Sequence, residues 1–417
     1  MSWLEQGWRH VWLPYAQMQT APLPLKVART QGARILLEDG RALIDGIASW
    51  WTACHGYNHP YIQAAMARQL EAMPHVMFGG LAHQPAYDLA TRLAALMPGE
   101  LNRVFFTDSG SVAVEVAIKI AVQSRLNQGE RGRTKILAFT GGYHGDTLGT
   151  MAICDPEEGM HSLYAGLLPA QPVIPLPRDP DSIAAFEQFL AREHKSLAAI
   201  IVEPLVQGAG GMVFHTPDVL KRLRNAADHY GLTLIFDEIF TGFGRTGTMF
   251  AFEQAGILPD IITLSKALTG GSSPLAATIA TDTLFAAFLS DSPATSLMHG
   301  PTFMAHALGC AAANASLDLF ASAPRLAQVA TISTQLADEL APCRTLKGVK
   351  DVRVMGAIGV VQLNELNNPA ALRQALIKEG VWVRPFRDII YLTPAFTIQP
   401  DELSQLTGAI HKVLAAG

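Results

Sequence analysis

An acidic side chain and a lysine each follow a short apolar run in the middle of the chain. Residues 232–236 (LTLIF) lead into Asp237, and residues 261–264 (IITL) lead into Ser265 and Lys266. Apolar runs of this length that stop at turn signals are typical of buried parallel strands. Because open α/β sheets bind ligands at the carboxyl ends of such strands, the two residues are candidates for one site. We expect Lys266 to be a covalent nucleophile and Asp237 to hold a cofactor's positive charge.

A third apolar run, residues 103–106, is followed by small polar residues and then by a helical pattern. The turn contains Ser109, Gly110 and Ser111. The first N–H groups of such a helix, together with its dipole, favour a bound phosphate. Ser and Gly are also ordinary residues at a helix start, so the turn alone leaves a simple N-cap as the alternative.

Two further strand ends carry residues for a planar or charged ligand. After residues 135–139, two glycines precede Tyr143 and His144, and residues 198–202 lead into Glu203. The glycines favour close approach of the backbone, so that Tyr143 can offer its ring to a planar ligand. A plain glycine turn with a surface tyrosine is the alternative. A single loop histidine such as His144 fits a structural role better than a catalytic one.

Aromatic residues are frequent near the N-terminus. Residues 1–30 combine them with prolines that oppose a regular helix, which predicts an irregular arm packed on the body or on a partner subunit. From this arm Tyr15 can also reach a ligand. Trp50 and Trp51 follow a hairpin predicted at residues 34–48 around an Asp-Gly turn. Because adjacent tryptophans are costly to expose, they either fill the core or line a pocket.

Strand and helix patterns alternate along most of the chain, with polar groups at the strand ends. Helical patterns occupy residues 60–97 (with one interruption), 182–193, 217–230 and 306–319. This alternation predicts an α/β fold with a mostly parallel central sheet in a large domain, and a smaller α+β domain. We expect three units, which are an N-terminal arm and hairpin belonging to the small lobe (1–50), a large domain (51–315) and a C-terminal small domain (316–417).

Composition narrows the class of protein. Of 417 residues, 49% are hydrophobic and 16% are charged, which often accompanies an extensive oligomer interface, and the net charge of −5 argues against a nucleic-acid binder. The four cysteines lack the spacing of a zinc site, and a reduced state suits the cytoplasm. The N-terminus lacks the features of a signal peptide, and no apolar run approaches the roughly 20 residues of a membrane helix. We therefore expect a soluble, cytoplasmic protein without a bound metal.

The strand ends, taken in order, resemble those of the fold-type I pyridoxal-phosphate enzymes. The segments DEIFTGFGRTG (237–247) and PDIITLSKALTGG (259–271) are similar to the signature of the class III aminotransferases. The similarity covers nearly the whole chain. The signature as a whole is highly specific, although each fragment of it is common.

This resemblance implies pyridoxal 5'-phosphate as the cofactor. Lys266 would form a Schiff base with the cofactor aldehyde and then move a proton as a general acid–base. Asp237 would favour the protonated pyridine nitrogen, which makes the ring an electron sink. Tyr143 would stack on the ring, and Glu203 would contact the side of its hydroxyl group or Arg and His partners near the substrate.

The resemblance also implies a phosphate site shared between subunits. Gly110 and Ser111 would bind the phosphate at the helix N-terminus, while Pro301 and Thr302 of the neighbouring subunit would complete the site. We therefore expect a homodimer with active sites at the subunit interface.

Closer detail is similar to the adenosylmethionine–8-amino-7-oxononanoate aminotransferases of biotin synthesis. The segments that carry this similarity are WLPYAQM (12–18), SWW (49–51), GYHGDT (142–147) and HGPTF (299–303). It implies a ping-pong reaction in which S-adenosylmethionine gives its α-amino group to 8-amino-7-oxononanoate, forming 7,8-diaminononanoate. Leu13 departs from the pattern, because relatives often carry histidine there, which leaves the path of the arm open.

In that family the substrate pocket has aromatic walls and an arginine for the substrate carboxylate. A planar guanidinium suits a carboxylate, and Arg384 matches that arginine. The residues that the resemblance places at the substrate are Tyr15, Trp50, Trp51, Tyr143, Lys266, Gly300, Arg384 and Tyr391.

Three alternatives stay open at the level of the sequence. Another class III ω-aminotransferase, acting on ornithine, 4-aminobutyrate or a diamine, would share Lys266 and Asp237 but would not require the paired tryptophans. An aminomutase or racemase would use the same fold without transfer between molecules. A non-catalytic binding or regulatory protein is opposed by the intact lysine and acid.

Overall fold

The computed structural model describes residues 2–156, 161–164 and 166–416. In chain order the strands are β1 (Val27–Gln31), β2 (Arg34–Leu37), β3 (Ala42–Asp45), β4 (Leu101–Thr107), β5 (Lys135–Phe139), β6 (Val173–Ile174), β7 (Leu197–Val202), β8 (Val206–Gln207), β9 (Val213–Phe214), β10 (Thr233–Asp237), β11 (Ile261–Leu264), β12 (Ala276–Thr281), β13 (Val349–Met355), β14 (Ile358–Leu363), β15 (Val381–Trp382) and β16 (Ile389–Leu392). The helices are α1 (Trp3–Gly7), α2 (Ala48–Trp51), α3 (Pro60–Ala72), α4 (Gln84–Leu96), α5 (Gly110–Asn127), α6 (Leu148–Met151), α7 (Pro180–Glu193), α8 (Pro217–Tyr230), α9 (Asp282–Ala286), α10 (Ala307–Ser322), α11 (Arg325–Leu340), α12 (Pro369–Lys378) and α13 (Pro400–Ala415).

The central sheet has seven strands in the order β4-β12-β11-β10-β7-β5-β6. Neighbours from β11 to β6 pair in parallel, whereas β12 is antiparallel to both β4 and β11. The predicted mostly parallel sheet is therefore confirmed. β12 is not among the predicted strands, because its sequence AATIAT is rich in alanine, a weak strand former. Since only β12 is reversed, the carboxyl ends of the other six strands lie at one edge.

Both faces of this sheet are buried, as expected for parallel strands covered by helices. Successive residues of β5 alternate between two hydrophobic cores: Leu137 and Phe139 pack in the larger core, and Ile136 and Ala138 pack in the smaller one. Helix α8 contributes Leu223 and its neighbours to the larger core, while α5 packs into the smaller one. The sheet is thus a rigid support for the residues at its edge.

Two smaller sheets contain most of the remaining strands. One has the order β1-β2-β3-β15 and includes the predicted hairpin, in which β2 and β3 pair antiparallel. Strand β15 joins this sheet parallel to β3, so a C-terminal segment pairs with an N-terminal one. The other sheet, β13-β14-β16, is antiparallel. The division into three units with the boundaries given above stays a prediction.

The N-terminal arm is more regular at its start than expected. Ser2 caps the five-residue helix α1, and Ser2 and Glu5 form a reciprocal capping box that satisfies two N–H groups. The expectation that residues 1–30 lack a regular helix is therefore wrong for this short segment. Residues 11–26 contain neither helix nor strand, as expected. Within the described residues, no helix combines the length and the apolar character needed to cross a membrane.

His55 is a buried neutral base, and it predicts a pH dependence of stability. Its Nδ1 accepts a hydrogen bond from Arg325 Nε at 3.0 Å, and its Nε2 lies 3.0 Å from Ser316 Oγ. Burial, reinforced by the charge of Arg325, lowers the pKa of His55 to about 3. Because protons then bind the unfolded chain more tightly, stability falls as the pH decreases from about 6.5 towards 3.

Through His55 alone, we expect the free energy of unfolding to be about 1.4 kcal/mol lower at pH 5.5 than at pH 7.5. Urea unfolding at the two pH values measures it. The free energies of unfolding at pH 5.5 and pH 7.5 should differ less by this amount in His55→Gln. They should differ as in the wild type in His10→Gln, which changes an exposed histidine. An equal pH dependence in wild type and His55→Gln would contradict the prediction.

Candidate active site

A cavity of about 170 Å³ lies at the sheet edge where the carboxyl ends of the six co-directional strands meet. It is lined by Trp51, Gly110, Ser111, Tyr143, His144, Gly145, Glu203, Gly208, Ala209, Asp237, Ile239, Phe240, Ser265 and Lys266. The strand-end residues predicted from the sequence therefore come together at one site, joined by one of the two adjacent tryptophans.

Asp237 ends β10 and is buried at the floor of the cavity. Its Oδ2 accepts a hydrogen bond from Nδ1 of His144 at 2.7 Å. Its Oδ1 accepts from the Thr263 hydroxyl and from the Ile239 N–H, each at 3.2 Å. These partners fix the carboxylate and leave its negative charge to act on whatever occupies the cavity.

Lys266 follows β11 and projects its amine into the same cavity. Its backbone has φ 45°, a left-handed conformation that non-glycine residues seldom adopt outside functional sites. Nζ lies 4.9 Å from the centre of the Trp51 ring. Burial lowers the pKa of Lys266, while the carboxylates of Asp237 and Glu203 oppose that shift. A lysine with a lowered pKa is a better nucleophile at neutral pH.

The N-terminus of α5 forms another wall of the cavity. Ser109 is the N-cap and accepts the Val112 N–H, so the amides of Gly110 and Ser111 belong to the first turn and have no partner within the helix. The loop after β5 packs closely here, and a Cβ at Gly145 would overlap the Ser111 side chain. Free N–H groups and the helix dipole make this wall suitable for an anion.

Glu203 holds the loop that carries Tyr143. Its two carboxylate oxygens accept the N–H groups of Tyr143 and Gly208, each at 3.0 Å. Burial raises the pKa of Glu203 to about 7. Among the described residues it contacts backbone amides rather than an arginine, so its local role is to shape the cavity wall behind Tyr143.

Tyr15, on the N-terminal arm, contacts Tyr143, which lines the cavity. Its hydroxyl donates to Oδ2 of Asp146 and lies 3.3 Å from the Tyr143 hydroxyl, which donates to Oδ1 of Asp146 at 2.9 Å. The Asp146 N–H in turn donates to Ser111 Oγ at 3.3 Å. Asp146 thus connects the arm and Tyr143 through its carboxylate, and the helix wall through its backbone N–H.

The two tryptophans lie on α2, which is a left-handed turn and not an ordinary α-helix. Ala48, Ser49, Trp50 and Trp51 have φ values of 44°, 51°, 57° and 71°. For non-glycine residues this conformation costs roughly 1–2 kcal/mol each. Such a cost at four consecutive residues requires specific stabilisation by the surrounding structure.

This turn directs the two indole rings to different neighbours. Trp51 packs on Phe240 and on the buried Tyr391, with centroid distances of 4.5 and 6.1 Å. Trp50 meets Tyr15 edge to face at 6.5 Å, and the Arg384 guanidinium lies 4.8 Å over the Trp50 ring. The predicted substrate residues therefore form two aromatic groups: Trp51 packs with Tyr391, and Trp50 packs with Tyr15 beside the cation of Arg384. Of these four aromatic residues, only Trp51 lines the cavity.

Gly300, Pro301 and Thr302 are not part of this cavity. Gly300 and Thr302 are exposed and Pro301 is half-buried, and none of the three lines the cavity of the chain that carries it. The neighbouring Met298 and Phe303 are also exposed. The role of residues 300–302 in the site of a neighbouring subunit therefore stays a prediction.

Comparison with known proteins identifies the family. The model of the family described as "Aminotransferase class-III" matches residues 15–414. The chain belongs to the class III aminotransferases. It is 45% identical over 413 residues to the adenosylmethionine-8-amino-7-oxononanoate aminotransferase of Mycobacterium leprae (strain TN), an alignment that covers 97% of this chain and 94% of that protein.

Solved structures agree with this class III assignment. The adenosylmethionine-8-amino-7-oxononanoate aminotransferase from Methanocaldococcus jannaschii is similar with a TM-score of 0.95 and 28% identity, covering 99% of this chain and 98% of that one. An amine transaminase from an uncultivated Pseudomonas species, in its PLP-bound form, has a TM-score of 0.91 and 32% identity, with 98% of both chains covered. The protein is therefore a pyridoxal-phosphate-dependent aminotransferase with the predicted fold.

The cavity of this class III aminotransferase fits its cofactor. A Cβ at Gly110 would lie 3.0 Å from Ile239, and a Cβ at Gly208 would lie 3.1 Å from Phe240, so these walls leave little room for larger residues. The anion-binding wall, the lysine amine and the buried carboxylate suit a phosphate, an aldehyde and a ring nitrogen, respectively.

His144 is the residue whose importance sequence reasoning missed. The hydrogen bond to Asp237 spans 93 positions of sequence, so neither residue alone reveals the pair. The available signal was that His144 lies in the loop after β5 and Asp237 ends β10, and both strands pair with β7. Asp146 was also missed, although it lies three residues after Tyr143 in the same loop.

Proposed function

We propose that this aminotransferase transfers the α-amino group of S-adenosylmethionine to 8-amino-7-oxononanoate, giving 7,8-diaminononanoate in biotin biosynthesis. The observation that carries the proposal is the cluster of Tyr15, Trp50 and Arg384 beside the cavity. It combines aromatic walls for a long aliphatic chain and an adenosyl group with a guanidinium for a carboxylate. The relatives of that name, at 45% identity in one case, support the same substrates.

Pyridoxal phosphate, when bound, supplies a carbonyl carbon that accepts an amino group and a ring that withdraws electrons from the substrate carbon. Gly110 and Ser111 would bind its phosphate through backbone N–H groups. Asp237 would hold its ring nitrogen protonated, and Tyr143 would cover one ring face. Lys266 would hold it covalently and, once released, would take the proton from the substrate Cα with Nζ.

The two substrates react in turn, in a ping-pong sequence, so one pocket serves both. Trp50, Trp51 and Tyr15 form walls that exclude water and contact either chain through apolar faces. Arg384 would bind the carboxylate of the amino acceptor, and Tyr391 supports Trp51 from behind. Glu203 would fix the position of Tyr143 in the cavity wall by accepting its backbone N–H.

We propose a homodimer in the cytoplasm, acting on small molecules and without nucleic-acid or membrane partners. Residues 300–302 of each subunit, with Pro301 and Thr302 near the phosphate and Gly300 near the substrate, would complete the neighbouring subunit's site. The exposure of Gly300 and Thr302 in the single chain, and the absence of all three residues from the lining of its own cavity, support this arrangement.

The donor half-reaction tests the proposed function. The purified holoenzyme is mixed with S-adenosylmethionine without acceptor, and the absorbance of the cofactor is followed as its aldehyde form converts to the amine form. We expect conversion, and its reversal when 8-amino-7-oxononanoate is added. Conversion by ornithine or 4-aminobutyrate with none by S-adenosylmethionine would establish a different ω-aminotransferase.

Replacing Arg384 should weaken binding of the carboxylated acceptor selectively. A charge-assisted hydrogen-bond pair contributes about 1.5–3 kcal/mol, so we expect Arg384→Ala to raise KM for 8-amino-7-oxononanoate by about 10- to 100-fold. Arg384→Lys keeps the charge but loses the planar guanidinium. We expect its KM for 8-amino-7-oxononanoate to lie between those of the wild type and Arg384→Ala. Steady-state kinetics with each substrate measures this, and an unchanged acceptor KM in Arg384→Ala would exclude the assigned role.

A further inference from the structure

The turn Ala48–Trp51 keeps four consecutive left-handed residues, and one carboxylate lies beneath it. Asp45, at the end of β3, accepts the N–H of Ile47 through Oδ1 and the N–H of Ser49 through Oδ2, each at 2.8 Å. The Tyr57 hydroxyl donates to the same Oδ2 at 2.6 Å. We propose that Asp45 and Tyr57 are positioning residues that hold this turn and thereby set the substrate-binding wall formed by Trp50 and Trp51.

The burial of Asp45 makes these hydrogen bonds its main stabilisation. The residue is 1% exposed, and its carboxylate accepts hydrogen bonds from backbone amides of the turn and from the Tyr57 phenol rather than pairing with a cation. A buried carboxylate is costly unless such donors satisfy it. The hydrogen bonds stabilise both the carboxylate and the turn. The carboxylate gains donors, and the turn gains an acceptor for N–H groups that have no regular backbone partner in this left-handed conformation.

The ends of the turn are anchored independently of Asp45. The Ile47 carbonyl accepts the Trp51 N–H at 2.8 Å, and the Gly46 carbonyl accepts the Thr393 N–H at 2.7 Å. At the far end of the turn, the Thr52 N–H donates to the Ala48 carbonyl at 2.9 Å and the Thr52 hydroxyl donates to the Ser49 carbonyl at 3.0 Å. These bonds hold the carbonyl of Ser49, whereas its N–H is held by Asp45. The Asp45 carboxylate is the group that reaches that central amide.

The conformation of the turn decides where both indoles lie. With its present φ values, Trp51 packs on Phe240 with Lys266 Nζ 4.9 Å from its ring, and Trp50 lies under Arg384. If the turn relaxed to right-handed dihedrals, the side-chain directions of both residues would change, because each Cβ follows its own φ and ψ. The inference rests on the proposed function only for the identity of the substrates that this wall contacts.

Asparagine is the informative replacement at Asp45. An amide has one acceptor oxygen, so whichever orientation it takes, it loses either the Ile47 N–H or the Ser49 N–H. We expect Asp45→Asn to raise KM for 8-amino-7-oxononanoate by about tenfold or more while kcat changes by less than about threefold. Tyr57→Phe removes one donor from the same carboxylate and should raise KM less, by about threefold.

A matched control is available on the same hairpin. Asp39 lies in the exposed turn between β2 and β3, where it pairs with Arg41 and does not contact Ala48–Trp51. Asp39→Asn should leave both KM values unchanged. Near-UV circular dichroism of the tryptophans, recorded on the holoenzyme without substrate, should change in Asp45→Asn and not in Asp39→Asn.

Glycine provides a rescue that a general loss of folding would not allow. Ala48→Gly removes the side-chain penalty of φ 44° at the start of the turn. In the Asp45→Asn background it should recover at least half of the lost affinity. A wild-type acceptor KM in both Asp45→Asn and Tyr57→Phe, or no recovery with Ala48→Gly, would overturn the proposal.

The acceptor KM and the near-UV circular dichroism test the positioning role separately from the proposed function. If Asp45→Asn does not fold, Tyr57→Phe and its dichroism carry the same test. If wild type fails to use S-adenosylmethionine and 8-amino-7-oxononanoate, the proposed function fails, whereas the dichroism change and its glycine rescue still test the turn. Normal wild-type turnover with an undisturbed Asp45→Asn variant would contradict the positioning role alone.

Discussion

We expect Lys266→Ala to reduce transamination by about 10⁴-fold or more, the largest effect of any single replacement in this chain. Lys266 follows β11, its amine enters the cavity that Asp237 and Glu203 share, and burial lowers its pKa. The variant loses both the covalent nucleophile and the base that moves the proton, so two contributions disappear together. Product formation from both substrates, followed over hours, measures the residual rate.

A covalent readout separates this role from a fault in folding. Borohydride treatment of the wild type should leave the reduced cofactor attached to the peptide that contains Lys266, as mass spectrometry can detect. Lys266→Ala should show no attachment, while Lys221→Ala, at an exposed ion pair with Asp218, should behave as wild type. Attachment at another lysine in the wild type would exclude Lys266 as the nucleophile.

The central sheet is the part of the fold that follows most directly from the sequence. Strands such as β7 (Leu197–Val202) are buried on both faces, so their apolar runs are continuous and end abruptly where the polar site begins. β12 was not predicted because its small residues have little strand preference of their own. They form a strand here because β4 and β11 pair with them on either side. The short helix α1 was missed because its capping box lies next to aromatic residues that dominate the local pattern.

The site was predictable as far as strand ends supply it. Parallel strands deliver their carboxyl ends to one edge, and the residues at or after those ends line one cavity: Gly110, Ser111, Tyr143, Glu203, Asp237 and Lys266. Trp51 joins them from α2, which is not part of this sheet. The left-handed turn at Ala48–Trp51 could not be predicted, since no residue in it prefers that conformation. It depends on Asp45 and Tyr57 and on contacts with the C-terminal segment, which local sequence does not encode.

The hydrogen bond between His144 and Asp237 is another contact that local sequence does not encode. The carboxylate of this pair is the basis of the second prediction with a large expected effect. We expect Asp237→Asn to lower kcat by about 10³-fold, because an amide cannot stabilise a protonated ring nitrogen by charge. The cofactor should stay attached, since Lys266 is intact. Single-turnover measurement with S-adenosylmethionine separates this loss from any change in binding.

Asparagine nearly matches aspartate in size and can retain the hydrogen bonds to Thr263 and Ile239, so the loss reports the charge. His144→Ala removes the 2.7 Å donor but keeps the carboxylate, and we expect it to cost only about tenfold. Asp218→Asn, at an exposed position, serves as the control and should be unchanged. If His144→Ala proved as damaging as Asp237→Asn, the hydrogen bond and not the negative charge would be the main contribution of this pair. A ratio near 100 between the two variants instead assigns catalysis to the charge of Asp237 and orientation of that charge to His144.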